Sequence, residues 1–132
     1  MGIFGNLFGR ELEELNEKIR KWERVLTPDY AYEWNNWLHK MDVVSEKLRL
    51  SEVEVAKLTL REVAKYASFS LRRQIGVGKI DIDTIAGTRG NTTAIQAMRL
   101  ASREFNKYNA ICRRFVSLKK FDSLIEKAGR GR

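Results

Sequence analysis

The stretch 28–75, PDYAYEWNNWLHKMDVVSEKLRLSEVEVAKLTLREVAKYASFSLRRQI, decides how this chain folds. Its apolar residues recur at helical spacing: Tyr30, Trp34, Trp37 or Leu38, Met41, Val44 and Leu48, then Val55, Leu58, Tyr66 and Phe69. A stripe repeating at three and four residues is the signature of an amphipathic helix. No glycine or further proline interrupts it before Gly76. Ser51 followed by Glu54 has the form of a capping box that would divide the segment, but the Ser51 hydroxyl fits equally on the exposed side of one continuous helix. We read the segment as uninterrupted. At 1.5 Å per residue such a helix exceeds about 60 Å, about twice the diameter of a small domain, and so implies a long hairpin or an oligomer.

Working outward, Thr27 is placed as N-cap and Pro28 as the first helical residue, with Asp29 and Glu33 in the opening turns. Residues 11–26 put Leu12, Leu15, Ile19, Trp22 and Leu26 on one face. Glu11, Glu13, Glu14 and Glu17 precede Lys18, Arg20, Lys21 and Arg24, the order that suits a helix dipole. Before them, MGIFGNLFGR sets Ile3, Phe4, Leu7 and Phe8 on one face of a two-turn helix that Gly2, Gly5 and Gly9 weaken. Residues 1–10 are read as an amphipathic docking segment, similar to the amphipathic starts of some peripheral membrane proteins. A protein surface suits it better than an anionic membrane, since Arg10 is its one cation. Residues 11–132 are read as a single helical domain.

Downstream, GVGKIDIDTIAGTRG (76–90) is the one loop-like stretch, with room between its glycines for a short strand or a helical turn. Asn91 resembles an N-cap. The last helix carries Ala94, Met98, Ala101, Phe105, Tyr108, Cys112, Phe115, Leu118 and Ile125 along one side and ends at Gly129. The expected fold is all-α: a long helical hairpin with a short amphipathic N-terminal segment and a Gly-rich connecting loop.

The 132 residues, 43% hydrophobic and 32% charged, suffice for one core and exclude both disorder throughout and multi-span membrane topology. Cys112 is the only cysteine, so neither an intrachain disulfide nor a Cys-based zinc site can form. With no secretory-type start, we expect a cytoplasmic protein in a reducing, intracellular compartment. His39 has no partner His or Cys at ligand or catalytic spacing, and Asp81 with Asp83 lacks a third ligand. We expect no enzyme, no metal and no cofactor. Trp22, Trp34 and Trp37 with Tyr30 and Tyr32 cluster at the first bend, where packing between helices explains them better than stacking on bases.

Charge is the informative feature. The formal net charge is +8, yet residues 1–69 hold 11 basic and 12 acidic side chains while residues 70–132 hold 14 basic and 5 acidic. Asymmetry of this kind attracts polyanions, whether nucleic acid or an acidic membrane leaflet; a solvated face kept for solubility is the plain alternative. On the last helix Arg99, Arg103 and Lys107 are spaced by four, and Arg113, Arg114, Lys119 and Lys120 extend the charge. Like charges at that spacing repel, so an anionic ligand relieves them. Arg72, Arg73, Lys79 and Arg89 flank the glycine loop as a second patch, where outward backbone N–H groups can form a phosphate nest. Gly87-Thr88-Arg89-Gly90 before a helix is similar to the GxxG loop of KH domains, but the likeness spans four residues and no sheet follows. Gly78 and Lys79 fail as a Walker loop, because position 73 is Arg and position 80 is Ile.

A long helix with Trp34, Trp37, Leu38 and Lys40 near its start, a Gly-containing connection and a final helix with Arg114, Phe115, Leu118 and Lys119 before Ala128 and Gly129 resembles the small phage recombination mediators of the UvsY type. The likeness covers residues 30–129 in pattern, without a motif to carry over residue by residue. It implies a helical, oligomeric viral protein on single-stranded DNA that helps load a recombinase. The expectation is thus a non-enzymatic nucleic-acid-binding accessory protein, weakly sequence-specific, homo-oligomeric, contacting single-stranded DNA or RNA through the two basic patches. The alternative is a helical scaffold or assembly protein that docks through Ile3, Phe4, Leu7 and Phe8 on a membrane or a larger complex.

Overall fold

The first helix does not stop at residue 10: its backbone runs unbroken from Ile3 to Glu23 as α1. Three more helices follow among the described residues, α2 (Pro28–Leu48), α3 (Glu52–Gly76) and α4 (Ala94–Phe115), and no strand occurs among them. This computed structural model describes residues 3–78 and 94–115 together with positions 123, 126 and 127. The all-α class expected from the sequence is observed. Residues 79–93, with Lys79, Asp81, Asp83, Arg89, the GxxG stretch and Asn91, lie outside the described residues, as do Leu118, Lys119, Lys120 and Ile125.

The expected continuous helix over 28–75 is two helices, of 21 and 25 residues. Arg49 turns the chain in the left-handed region (φ 52°, ψ 48°), and the N–H of Leu50 donates to the Ser45 carbonyl at 3.0 Å, satisfying a carbonyl of the last turn of α2. Two residues later Ser51 caps α3. Its hydroxyl accepts from the Glu54 N–H and the Glu54 carboxylate accepts from the Ser51 N–H, both at 3.2 Å. The capping box that the sequence offered as an alternative is formed. With α2 and α3 each about 30–40 Å long, helix length no longer argues for an oligomer.

Thr27 does occupy the N-cap position of α2, with Pro28 behind it, but its side chain makes no capping bond. Instead its backbone N–H donates to the Ser70 hydroxyl at 3.1 Å, and Gln74 donates to the Val25 carbonyl at 2.9 Å. The α1–α2 turn is thereby bound to the far end of α3.

These contacts fix the topology. Lys57 pairs with Glu11 at 3.2 Å and Gln74 reaches Val25, so α1 and α3 run parallel. Trp34 Nε1 donates to Glu23 at 2.8 Å and Tyr30 meets Phe69 at 5.8 Å, so α2 runs back against both. Ser68 with Ser102 at 3.1 Å and Arg61 with Asn109 at 3.1 Å set α4 antiparallel to α3. The arrangement is up-down-up-down with α3 innermost.

Leu60, Val63, Ala64, Ala67 and Leu71 of α3 are fully buried, as are Ala97 and Ala101 of α4. Small residues on both helices let their backbones approach, while Leu15, Ile19 and Trp22 of α1 and Trp34, Trp37, Met41 and Val44 of α2 fill the remaining faces. Burying each large aliphatic side chain contributes about 1.5–3 kcal/mol. The expected α1 stripe is thus in the core, and Trp22, Trp34 and Trp37 are all buried there, Trp34 meeting Tyr66 of α3 at 6.4 Å, so the tryptophans pack between helices; Tyr32, by contrast, is exposed. On α3 the expected stripe of Val55, Leu58, Tyr66 and Phe69 holds in part: Leu58 is buried in the core, but the aromatic members are not on the main core face. Tyr66 and Phe69 meet the rings of Tyr30 and Trp34 on the α2 flank, and the smaller residues around Leu60 and Ala64 face inward.

Candidate functional site

Because Ala97, Ala101 and Tyr108 face inward, the helical repeat turns Arg99, Arg103, Lys107 and Arg113 outward, and all four are exposed. They fall within about a third of the circumference of α4, with successive charges about 6 Å apart along the first three. Ile95, Gln96, Leu100, Asn106 and Ala110 share this face, which holds no acidic residue. The one carboxylate of α4, Glu104, lies on the flank toward α1, where it meets Lys18 at 3.7 Å. Lys107 rests over the Tyr108 ring at 5.1 Å. Among the described residues, no carboxylate lies within ion-pair distance of Arg99, Arg103, Lys107 or Arg113.

The register that joins Ser68 to Ser102 and Arg61 to Asn109 sets Arg72 level with Met98 and Arg99. Arg72 is exposed and likewise has no carboxylate at ion-pair distance among the described residues. Of the second expected patch, Arg72 thus stands level with Arg99 of the first. Arg73 belongs to neither. It points to α2 and pairs with Asp29, a solvent-exposed contact of little energetic weight. Lys79, Arg89 and the side chain of Arg114 lie outside the described residues, as do the side chains of Ile3, Phe4, Leu7, Phe8 and Cys112.

A second set of charges escaped the sequence reading. Arg61 and Glu62, adjacent in α3, are both 4% exposed. The Arg61 guanidinium donates to Glu62 at 3.2 Å and to Asn109 at 3.1 Å, and it lies over the Phe105 ring at 5.9 Å. Lys65 donates to the other Glu62 oxygen at 3.2 Å. Buried ions persist only when paired and hydrogen-bonded in this way. Burial, and next the nearby Glu62 and Glu33 carboxylates, push the Tyr66 hydroxyl up to about 12. This network holds α3 to α4 under the basic face. The only sequence signal for it was an arginine and a glutamate interrupting the apolar run around Leu60 and Val63.

His39 is exposed, and no group of three or more His, Cys, Asp or Glu residues able to hold a metal ion occurs among the described residues. No described helix is long and apolar enough to cross a membrane. In comparisons with known proteins, no family model, no curated protein and no solved structure matches the chain.

Proposed function

We propose that this chain is a non-enzymatic accessory protein that binds single-stranded DNA or RNA along the outer face of α4 with little sequence dependence, acting as a recombination or replication mediator. One observation carries the reading: Arg72, Arg99, Arg103, Lys107 and Arg113 are exposed on α3 and α4, with no carboxylate at ion-pair distance from them among the described residues. A row of like charges raises the energy of its own helix, and phosphate oxygens relieve it with release of counterions. Arginine guanidinium planes also stack on unpaired bases, which favours a single strand over a duplex. In this reading α3 and α4 act as a hairpin that carries the interface.

Labelled single-stranded DNA, duplex DNA and RNA, each titrated at two salt concentrations beside a liposome flotation assay, test the proposal. Saturable, salt-sensitive binding to the single strands is expected. Absence of binding to every nucleic acid at low salt would sink it. The rival reading, a scaffold docked through Ile3, Phe4, Leu7 and Phe8, draws support from the helical backbone of α1 reaching Ile3. Deleting residues 2–9 separates the two: loss of vesicle or partner binding with nucleic-acid binding intact favours the scaffold.

A further inference from the structure

The two ends of the bundle differ in both shape and charge. At the end where α1 and α3 begin, two adjoining grooves of about 530 Å³ and 640 Å³ open side by side and share Leu12 and Glu52 in their walls. Leu12, Ile19, Leu50 and Val55 supply the apolar lining of the first groove, and Val53 continues it into the second. Carboxylates rim the grooves: Glu11, already matched by Lys57, and Glu52 and Glu54, which are not matched by a cation in the described residues.

At the opposite end, where α3 stops and α4 starts, the surface is apolar and cationic. Val77 is 58% exposed, Ile75 38% and Ile95 49%, and Arg72 and Arg99 stand beside them. Gly78, which ends this described stretch, has a positive φ of 67°, a conformation that favours glycine. Single exposed apolar residues are ordinary, but three grouped at one helix end and bordered by arginines are not. The 25 residues of α3 hold the two ends about 35–40 Å apart, so neither end of one molecule can reach the other.

We infer that this protein associates with itself head to tail, the Ile75–Val77 end of one copy seating in the groove at Leu12 and Glu52 of the next. Apolar tip meets apolar floor, and arginines meet carboxylates. The contact joins two different surfaces, so it propagates: it generates a ring if the rotation closes and an open chain if it does not. Either product repeats the outer face of α4 from copy to copy. Arg72 and Arg99 would serve both this contact and the proposed nucleic-acid interface, but the test separates the two, since neither Glu52 nor Val77 belongs to the α4 face.

Sedimentation velocity of the full chain over a concentration series, without nucleic acid, tests it. Wild type should form species larger than a monomer as concentration rises. Val77→Asp at the tip and Glu52→Arg at the groove should each weaken association at least tenfold and sediment as monomers. Mixed one to one, however, each supplies the surface the other lacks, and the mixture should form a dimer and nothing larger. Both positions are exposed, and helical circular dichroism verifies folding; Val77→Ser and Glu52→Gln replace any variant that does not fold and should weaken association in the same direction. A wild type that stays monomeric, a mixture that stays monomeric, or a variant that associates as wild type does overturns the head-to-tail contact. In particular, a tip-to-tip dimer would survive Glu52→Arg.

Discussion

Replacing Arg99, Arg103 and Lys107 together by Ala removes three of the five exposed cations of α3 and α4 that have no carboxylate at ion-pair distance among the described residues. If each of the five neutralises one phosphate of a single strand, the logarithm of the binding constant falls with the logarithm of salt at a slope of about −3.5. Between about 50 and about 200 mM salt the wild type then loses about 130-fold in affinity. The triple variant keeps Arg72 and Arg113, its slope drops to about −1.4, and it loses only about sevenfold over the same range. Fluorescence anisotropy of a labelled single strand across graded salt measures both slopes. Loss of fold is not the cause to fear, because alanine is the best helix former and the substitutions also remove like-charge repulsion at i and i+4. The control is a second triple, Arg10→Ala, Arg20→Ala and Arg24→Ala, which makes the same change in net charge at exposed sites on α1 and in the turn that follows it. A wild-type slope in the α4 variant refutes the interface. So does equal flattening by the α1 control, since net charge alone would then account for the binding.

Glu62→Ala should destabilise by about 3–5 kcal/mol in a urea titration, because the Arg61 charge stays buried without its carboxylate. Ser51→Ala removes the hydroxyl half of the capping box and should cost about 1 kcal/mol, read as a shift of the urea midpoint at constant slope. Gly9 lies inside α1, and a Cβ added there meets nothing within 4 Å, so Gly9→Ala should stabilise by about 0.5–1 kcal/mol in thermal melts. Were α1 to begin only after residue 10, that substitution would change nothing. Tyr66 has its folded pKa raised from 10.0 to about 12, so the native state holds the phenolic proton more tightly than the unfolded chain. The stability from this group is fully present below about pH 10 and declines as pH rises from there toward 12. Tyr66→Phe should remove that part of the alkaline decline, as measured by urea midpoints across the range.

How far the fold could be read from the residues depends on which interaction decided each element. The α1 stripe of Leu15, Ile19 and Trp22 was legible because one face of that helix meets the core and the other meets water. The division of α2 from α3 was not legible from periodicity, because Leu48 and Val55 stand seven residues apart and keep phase across the break. Only local chemistry marks it, namely the left-handed Arg49 and the reciprocal Ser51–Glu54 bonds, and the second of these had a visible signature. The inward face of α3 was misjudged for a related reason. A helix packed by neighbours on three sides has no single stripe, so the bulky Tyr66 and Phe69 mark its aromatic flank and the alanines mark its closest contacts.

The same geometry explains why some cations were sorted correctly and others not. Spacing by four residues on α4 correctly put Arg99, Arg103 and Lys107 on one outward face, since that helix has an uncovered side. Arg72 and Arg73 are neighbours in sequence, about 100° apart around α3, and tertiary contact separates their roles: one stands level with Arg99, the other is matched by Asp29 across the turn. Arg61 goes further and is sealed between α3 and α4. Net charge by segment counts all three alike. A basic segment therefore does not locate a polyanion site by itself; the proposed interface rests instead on a row of cations that packing leaves exposed along one helix face, Arg99, Arg103, Lys107 and Arg113, with no carboxylate at ion-pair distance among the described residues.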